Sequence, residues 1–206
     1  MRAQDCAFCN RGHLSNILME SERFLLLADH APLVAGHLLI IPREHYACYG
    51  AVPADLEDEL LALKARVADF LAAAYHVPIF FEHGVFRQTV YHAHLHAIPL
   101  GAESFRLDDL LTDGARRVHT PADIRAWYAE RGHYYYIEHL ARDGSSPEAV
   151  IFPPAYEPYF SALGRLRNAS GQLGAWEPQP LRRLHSQSKI DALKRAWEEY
   201  ARRAGG

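Results

Sequence analysis

The sequence predicts an α+β fold, a mainly antiparallel sheet with one covering helix, followed by a C-terminal α/β extension. Three observations carry that expectation. Two apolar runs at residues 23–29 and 36–42 are punctuated by glycine and proline, as the strands of a hairpin are. A longer stretch at residues 53–75 repeats its apolar residues at helical spacing. In His92-Ala93-His94-Leu95-His96-Ala97-Ile98-Pro99, histidines alternate with small or apolar residues, which is the period of a strand.

Taken in order, Cys6-Ala7-Phe8-Cys9 places two thiols where both can reach one tetrahedral ion, although such a pair supplies only half of a closed site. Arg23-Phe24-Leu25-Leu26-Leu27-Ala28-Asp29 reads as a buried strand ending in a polar turn with Pro32, and Gly36-His37-Leu38-Leu39-Ile40-Ile41-Pro42 as its neighbour. The helix at 53–75 sets Leu56, Leu60, Leu63, Val67, Phe70, Leu71 and Ala74 on one face. Asp55, Glu57, Asp58 and Glu59 crowd its first turns, where negative charge suits the helix dipole. Pro78-Ile79-Phe80-Phe81-Glu82 follows as a strand, 84–88 as a loop, and 89–99 as the strand bearing the histidine row. Beyond Gly101, Thr120-Pro121-Ala122-Asp123 reads as a helix start and Gly132 as its stop. The runs 133–139 and 148–152 flank Asp143-Gly144-Ser145-Ser146 as a hairpin, residues 159–166 read as helical, and Ile190, Leu193, Trp197 and Tyr200 mark a C-terminal amphipathic helix. We therefore divide the chain into a core at 1–103 and an extension at 104–206 packed on it.

The chain has 206 residues, 49% of them hydrophobic, which suffices for one α/β core with a substantial extension. A formal charge of −3 disfavours a protein that holds long nucleic acids by phosphate attraction alone. No apolar run is long enough to span a bilayer and Met1-Arg2-Ala3-Gln4-Asp5-Cys6 lacks a signal-peptide core, so no membrane partner and a cytoplasmic location are expected. Three cysteines do not make a disulfide framework.

Three readings compete for His92, His94 and His96: a metal-binding H-x-H pair, imidazoles satisfied within a core, or a neutral imidazole that attacks phosphorus. The first is weakened because the row runs into Ala97-Ile98-Pro99-Leu100 rather than a nearby carboxylate; the second would leave many ring nitrogens to satisfy.

The wider stretch Gln88-Thr89-Val90-Tyr91-His92-Ala93-His94-Leu95-His96 resembles the signature of the histidine triad (HIT) superfamily, with Asp29, Pro32, Gly36-His37 and Ile41-Pro42 upstream at matching places. The resemblance covers roughly residues 6–100. It implies a HIT-like fold and a nucleotide substrate attacked at the α-phosphate by His94, with His96 and His37 supporting the phosphate or the charge on the nucleophile. It further implies that Gln88 binds phosphate oxygens, Thr89 assists the leaving group and Asp29 takes the ribose hydroxyls. His30 would line the base pocket, and Arg87, where many HIT domains have glycine, would either add a cation or reshape the loop.

Some HIT proteins bind a structural zinc through an N-terminal C-x-x-C, a histidine after the second strand and the first histidine of the row. Here those positions are Cys6, Cys9, His45 and His92, a Cys₂His₂ set. Cys48 falls outside it, as a packing residue. His83 is read as a polar residue at a strand end. In the second half, residues 159–163 and 173–176 faintly resemble larger HIT relatives, including CwfJ-like proteins, and such an extension could replace part of a homodimer contact. Arg116, Arg117, Arg165, Arg167, Arg182 and Arg183 could receive phosphates, although isolated surface arginines are usually just solvated. The resemblance thus implies a nucleotidyl hydrolase for a phosphoramidate, dinucleoside polyphosphate or related ester. The alternatives are a transferase or phosphorylase, and a nucleotide- or RNA-binding module without turnover.

Overall fold

A computed structural model describes residues 5–101, 107, 114–139, 147–153, 155–172 and 177–204. Eight strands form one sheet: β1 (Ile17–Glu20), β2 (Phe24–Ala28), β3 (Leu38–Pro42), β4 (Pro78–Glu82), β5 (Leu95–Pro99), β6 (Arg116–Val118), β7 (Tyr135–His139) and β8 (Glu148–Phe152). Their order across the sheet is β1-β2-β3-β5-β4-β7-β8-β6, and every named pair is antiparallel. Among the described residues five α-helices accompany it: α1 (Glu57–Ala74), α2 (Pro121–Arg131), α3 (Tyr156–Gln172), α4 (Gln179–Leu184) and α5 (Gln187–Ala204).

The apolar runs of β2 and β3 do not alternate because both faces of the sheet are covered there. Phe24, Leu26, Leu38 and Ile40 join Leu63, Val67, Phe70 and Leu71 of α1 and Ile190, Leu193 and Trp197 of α5. Leu25, Leu27, Leu39 and Ile41 face the other way, against Phe8, Leu14 and Ile17. Each such Leu or Phe, fully buried, is worth about 1.5–3 kcal/mol, so the two cores fix the register from both sides. The helix is as its spacing predicts except at its end, where Ala74 is exposed. Leu56 belongs to a 3₁₀ turn (Ala54–Leu56) that leads into it.

The start and stop signals of α2 are realised in full: Thr120 and Asp123 close a capping box and Gly132 terminates the helix with φ 74°. β7 and β8 pair as the hairpin reading requires, while the proposed turn at 143–146 lies outside the described residues, as do 173–176. β7 is also hydrogen-bonded to β4, with Phe81 opposite Ile137 and Glu82 opposite Tyr136, so strands of the second half continue the sheet of the first.

One strand is shorter than its pattern suggested. Residues 89–92 form bends, 93–94 have no regular structure, and β5 begins only at Leu95. Side chains take up main-chain acceptors there instead of a ladder: His92 Nε2 meets the Pro42 carbonyl and His94 Nδ1 the His92 carbonyl. The alternation of buried neighbours survives, since Ala93, Leu95 and Ala97 all enter the α1-side core.

Candidate active site and metal centre

The turn at Cys6 is closed by the N–H groups of Cys9 and Asn10, both donating to the Cys6 carbonyl at 3.2 Å. It brings Cys6 Sγ and Cys9 Sγ each to 3.5 Å from His92 Nδ1, and Cys9 Sγ to 3.3 Å from His45 Nδ1. All four ligand atoms lie within 4.8 Å of one another. A tetrahedral zinc with bonds of about 2.0–2.3 Å separates its ligands by about 3.3–3.8 Å, so the donor set fits that ion. The tautomer fits too. His92 Nε2 lies 2.8 Å from the Pro42 carbonyl, which only accepts, so Nε2 carries the proton and Nδ1 presents its lone pair to the sulfurs. Burial pushes His92 down to about 4, against the pull of the Pro42 hydrogen bond, and keeps it a neutral ligand. Burial, then Cys6 beside it, pushes the Cys9 thiol up to about 11; a divalent cation reverses that balance. Bound there, zinc would cross-link the N-terminal turn to the segment that leads into β5.

That turn also supports the next histidine. Phe8 packs edge-on against His92 and His94, with ring centroids 5.8 and 5.5 Å apart. His94 Nδ1 is 2.6 Å from the His92 carbonyl, so Nδ1 carries the proton and Nε2 is left with a free lone pair. Burial lowers the pKa of His94, partly opposed by the His92 hydrogen bond and by the charge of Asp29.

A second chain of contacts sets the opposite polarity at His96. The Leu33 N–H donates to His37 Nδ1 at 3.2 Å, which leaves the His37 proton on Nε2. His37 Nε2 then donates to His96 Nδ1 at 3.0 Å, so neutral His96 bears its proton on Nε2. The rings of His94 and His96 are 5.0 Å apart. A free lone pair thus stands beside an N–H donor. Gly36, at φ 86°, makes the turn into His37, and a Cβ there would meet the Tyr75 ring at 2.9 Å.

Asp29 accepts the Ala31 N–H on Oδ1 at 2.6 Å and turns Oδ2 to 3.7 Å from His37 Nε2 and 3.8 Å from His96 Nδ1. Asp29, His37 and His96 could together face an ion. Their two nitrogens are nevertheless closer than the roughly 3.3 Å that two imidazoles keep across a tetrahedral zinc. We read them as a hydrogen-bonded pair.

Asp29, His30, His37, Thr89 and His96 line one cavity of about 500 Å³. Leu163, Gly164 and Arg167 of α3 and Gln179 and Arg182 of α4 line it as well. His94 is buried beside His96. Gln88 is buried and donates from Nε2 to the carbonyls of Ala47 (3.1 Å) and His92 (3.4 Å), which buttresses the metal-side segment, and its Oε1 has no partner among the described residues. Arg87 is exposed at φ 57°, a left-handed conformation that glycine adopts without steric cost; Val85 (φ 78°) and Gly84 (φ 53°) share the tight loop.

His83, read from sequence as a strand-end residue, lines the cavity, with its ring 6.0 Å from His96 and 6.4 Å from His94. Burial, then the charge of His94, lowers its pKa to about 4. The signal was register: Phe81 pairs with His96, and two residues on from Phe81 the side chain leaves on the same face. Cys48 is buried in the α1-side core, as a packing residue should be.

A fold and a site of this kind define a protein of the histidine triad class, and comparison with known proteins agrees. An HIT-like protein of Mycobacterium tuberculosis is 31% identical over 102 residues, spanning 46% of this chain and 70% of its own length. Among solved structures, an HIT family protein from Bacillus anthracis is 21% identical, with a TM-score of 0.45 over 63% of this chain and 98% of that one. A zinc-bound histidine triad protein from Mycobacterium smegmatis is 26% identical, with a TM-score of 0.42 over 63% and 96%. The model of the family described as similar to the CwfJ C-terminal matches residues 1–111, the histidine-bearing half rather than the residues beyond it. The chain belongs to the HIT superfamily.

Proposed function

We propose that the protein is a nucleotidyl hydrolase that acts on a nucleoside phosphoramidate, dinucleoside polyphosphate or related nucleotide ester through a nucleotidyl-histidine intermediate. Residues 1–103 act as the catalytic core and 104–206 as an extension that closes the site. The observation that carries this reading is the opposed hydrogen bonding of two neighbouring rings, which assigns a lone pair to His94 Nε2 and an N–H to His96 Nε2.

In the first step His94 Nε2 attacks the α-phosphorus, a P–N bond forms, and the bond to the leaving group breaks with its electron pair departing on that group. The imidazolium keeps its Nδ1 proton on the His92 carbonyl, and Asp29 offsets its charge. His96, oriented by His37, donates to a phosphoryl oxygen, while the exposed Thr89 hydroxyl serves the leaving group. Water then attacks the phosphorus on the opposite side, the P–N bond breaks with its electron pair returning to Nε2, one proton of the water passes to the departing group or to solvent, and neutral His94 returns with the nucleoside monophosphate. Asp29 and His30 hold the nucleoside, Gln88 steadies the segment behind the nucleophile, and Arg87 lies at the loop rim. Cys6, Cys9, His45 and His92 would hold a structural zinc that would anchor the row without entering these steps. Among the described residues no helix is long and apolar enough to cross a membrane, and Cys6, Cys9 and Cys48 are free thiols, which suits the cytoplasmic location we propose.

The test is a turnover screen of adenosine phosphoramidate, dinucleoside polyphosphates and nucleotide sugars, with and without inorganic phosphate as acceptor. Release of nucleoside monophosphate without acceptor supports hydrolysis. Turnover only with acceptor would make the protein a transferase or phosphorylase, and binding without turnover a nucleotide-binding module; either outcome overturns the proposal.

A further inference from the structure

Arg182 stands on α4, outside the segment that the family model matches, yet its side chain lines the same cavity as Asp29, His30 and His37. Its Nε and Nη1 are buried and have no acceptor among the described residues. A guanidinium cannot shed its charge, so donors shut away from water call for a bound group that accepts from them. Burial lowers the pKa of Arg182, opposed first by the charge of Asp29 and then by that of Glu177. Glu177 is taken up by His185, whose Nδ1 lies 3.2 and 3.3 Å from its two carboxylate oxygens. Burial also lowers the pKa of His37, the charge of Asp29 opposes that fall, and the charge of Arg182 adds to it. Asp29, His37 and Arg182 thus share one end of the cavity.

The contacts of Asp29 define what fits there. Its Oδ1 accepts the Ala31 N–H at 2.6 Å, while Oδ2 stands 3.7 Å from His37 Nε2 and 3.8 Å from His96 Nδ1, too far to accept from either. A carboxylate only accepts and a guanidinium only donates, so a ligand group that meets both must donate and accept at once. A hydroxyl does so: its O–H goes to the acid, and its oxygen lone pairs remain for the arginine. A phosphate oxygen has no proton to give Asp29 and would be repelled by it. We propose that Arg182 and Asp29 together hold the ribose diol of the bound nucleotide, the acid accepting the hydroxyl protons and the guanidinium donating to the hydroxyl oxygens. The extension thereby makes the site selective for ribonucleotides over deoxyribonucleotides. This rests on the reading in which Asp29 meets the ribose of a nucleotide substrate.

The test measures, by calorimetry, the binding of adenosine 5′-monophosphate and of its 2′,3′-dideoxy analogue to wild type, Arg182→Met and Arg182→Lys, with folding checked by circular dichroism. Wild type should bind the ribonucleotide at least about 10-fold more tightly than the analogue. Arg182→Met should weaken the ribonucleotide about 10-fold and the analogue less than about 2-fold, and Arg182→Lys should recover part of the loss. Equal binding of the two by wild type, or an equal loss on both in Arg182→Met, as a contact to the base or the phosphate would give, overturns the proposal, and so does a wild type that binds neither. Turnover of adenosine phosphoramidate and diadenosine tetraphosphate is followed on the same preparations. A wild type without turnover, but with ribonucleotide binding that Arg182→Met weakens selectively, would sink the hydrolase reading alone; turnover with binding unchanged in Arg182→Met would sink the ribose contact alone.

Discussion

His94 Nδ1 lies 2.6 Å from the main-chain oxygen of His92, and that contact alone fixes which nitrogen of His94 can act as a nucleophile. The proton is committed to the carbonyl, so no base has to remove it before Nε2 attacks. Replacing His94 by Ala should lower kcat/KM by on the order of 10⁴-fold or more while the chain still folds and binds nucleotide. Steady-state kinetics beside a thermal melt checks this; turnover near the wild-type level would remove the proposed nucleophile.

The same logic applies to His37 and His96. Their 3.0 Å contact aligns His96 only while His37 donates from Nε2. His37→Leu should cost about 10- to 100-fold in kcat by leaving His96 Nδ1 without its donor, and His37→Gln, which still carries an N–H, should recover part of that loss. Equal activity in the two variants would show that the contact is packing alone.

Purified protein should contain about one zinc per chain by mass spectrometry of metals. Cys9→Ser or His45→Ala should lower both the metal content and the melting temperature, as should exhaustive chelation. A metal-free preparation of undiminished stability would contradict the four-ligand centre.

Glu82 offers a pH test away from the histidines. It is fully buried, accepts the Tyr49 N–H at 2.7 Å and the Tyr134 hydroxyl, and burial pushes its carboxyl up to about 7 from 4.5, against those hydrogen bonds. Between those two values the unfolded chain has lost the proton and the folded chain keeps it, so stability falls as pH rises through the window and levels off above it. Denaturation from pH 4.5 to 8 should show wild type losing on the order of 3 kcal/mol relative to Glu82→Gln across that range. Parallel curves for the two proteins would refute the shift.

How far the sequence revealed this arrangement depends on how local each signal was. β4 begins and ends where its pattern said, and α2 carries its own cap residues, because those cues are written within a few positions. β1 and β6 escaped notice: Ile-Leu-Met-Glu and Arg-Arg-Val are short edge segments with little alternation, strands only because β2 and β8 present hydrogen-bonding partners. The Cys6, Cys9, His45 and His92 set was legible by family resemblance, and its atoms come together. The direction of Gln88, the approach of His83 and the unpaired guanidinium of Arg182 were not legible, since each depends on which distant segment lies opposite.

The central claim is a covalent bond between nucleotide and His94, and the most direct measurement is mass spectrometry of the protein quenched during turnover of a nucleotide substrate. A transient adduct of one nucleoside monophosphate is expected on the peptide containing His94, absent from His94→Ala. Rapid turnover with no adduct, or an adduct that persists in His94→Ala, would contradict it.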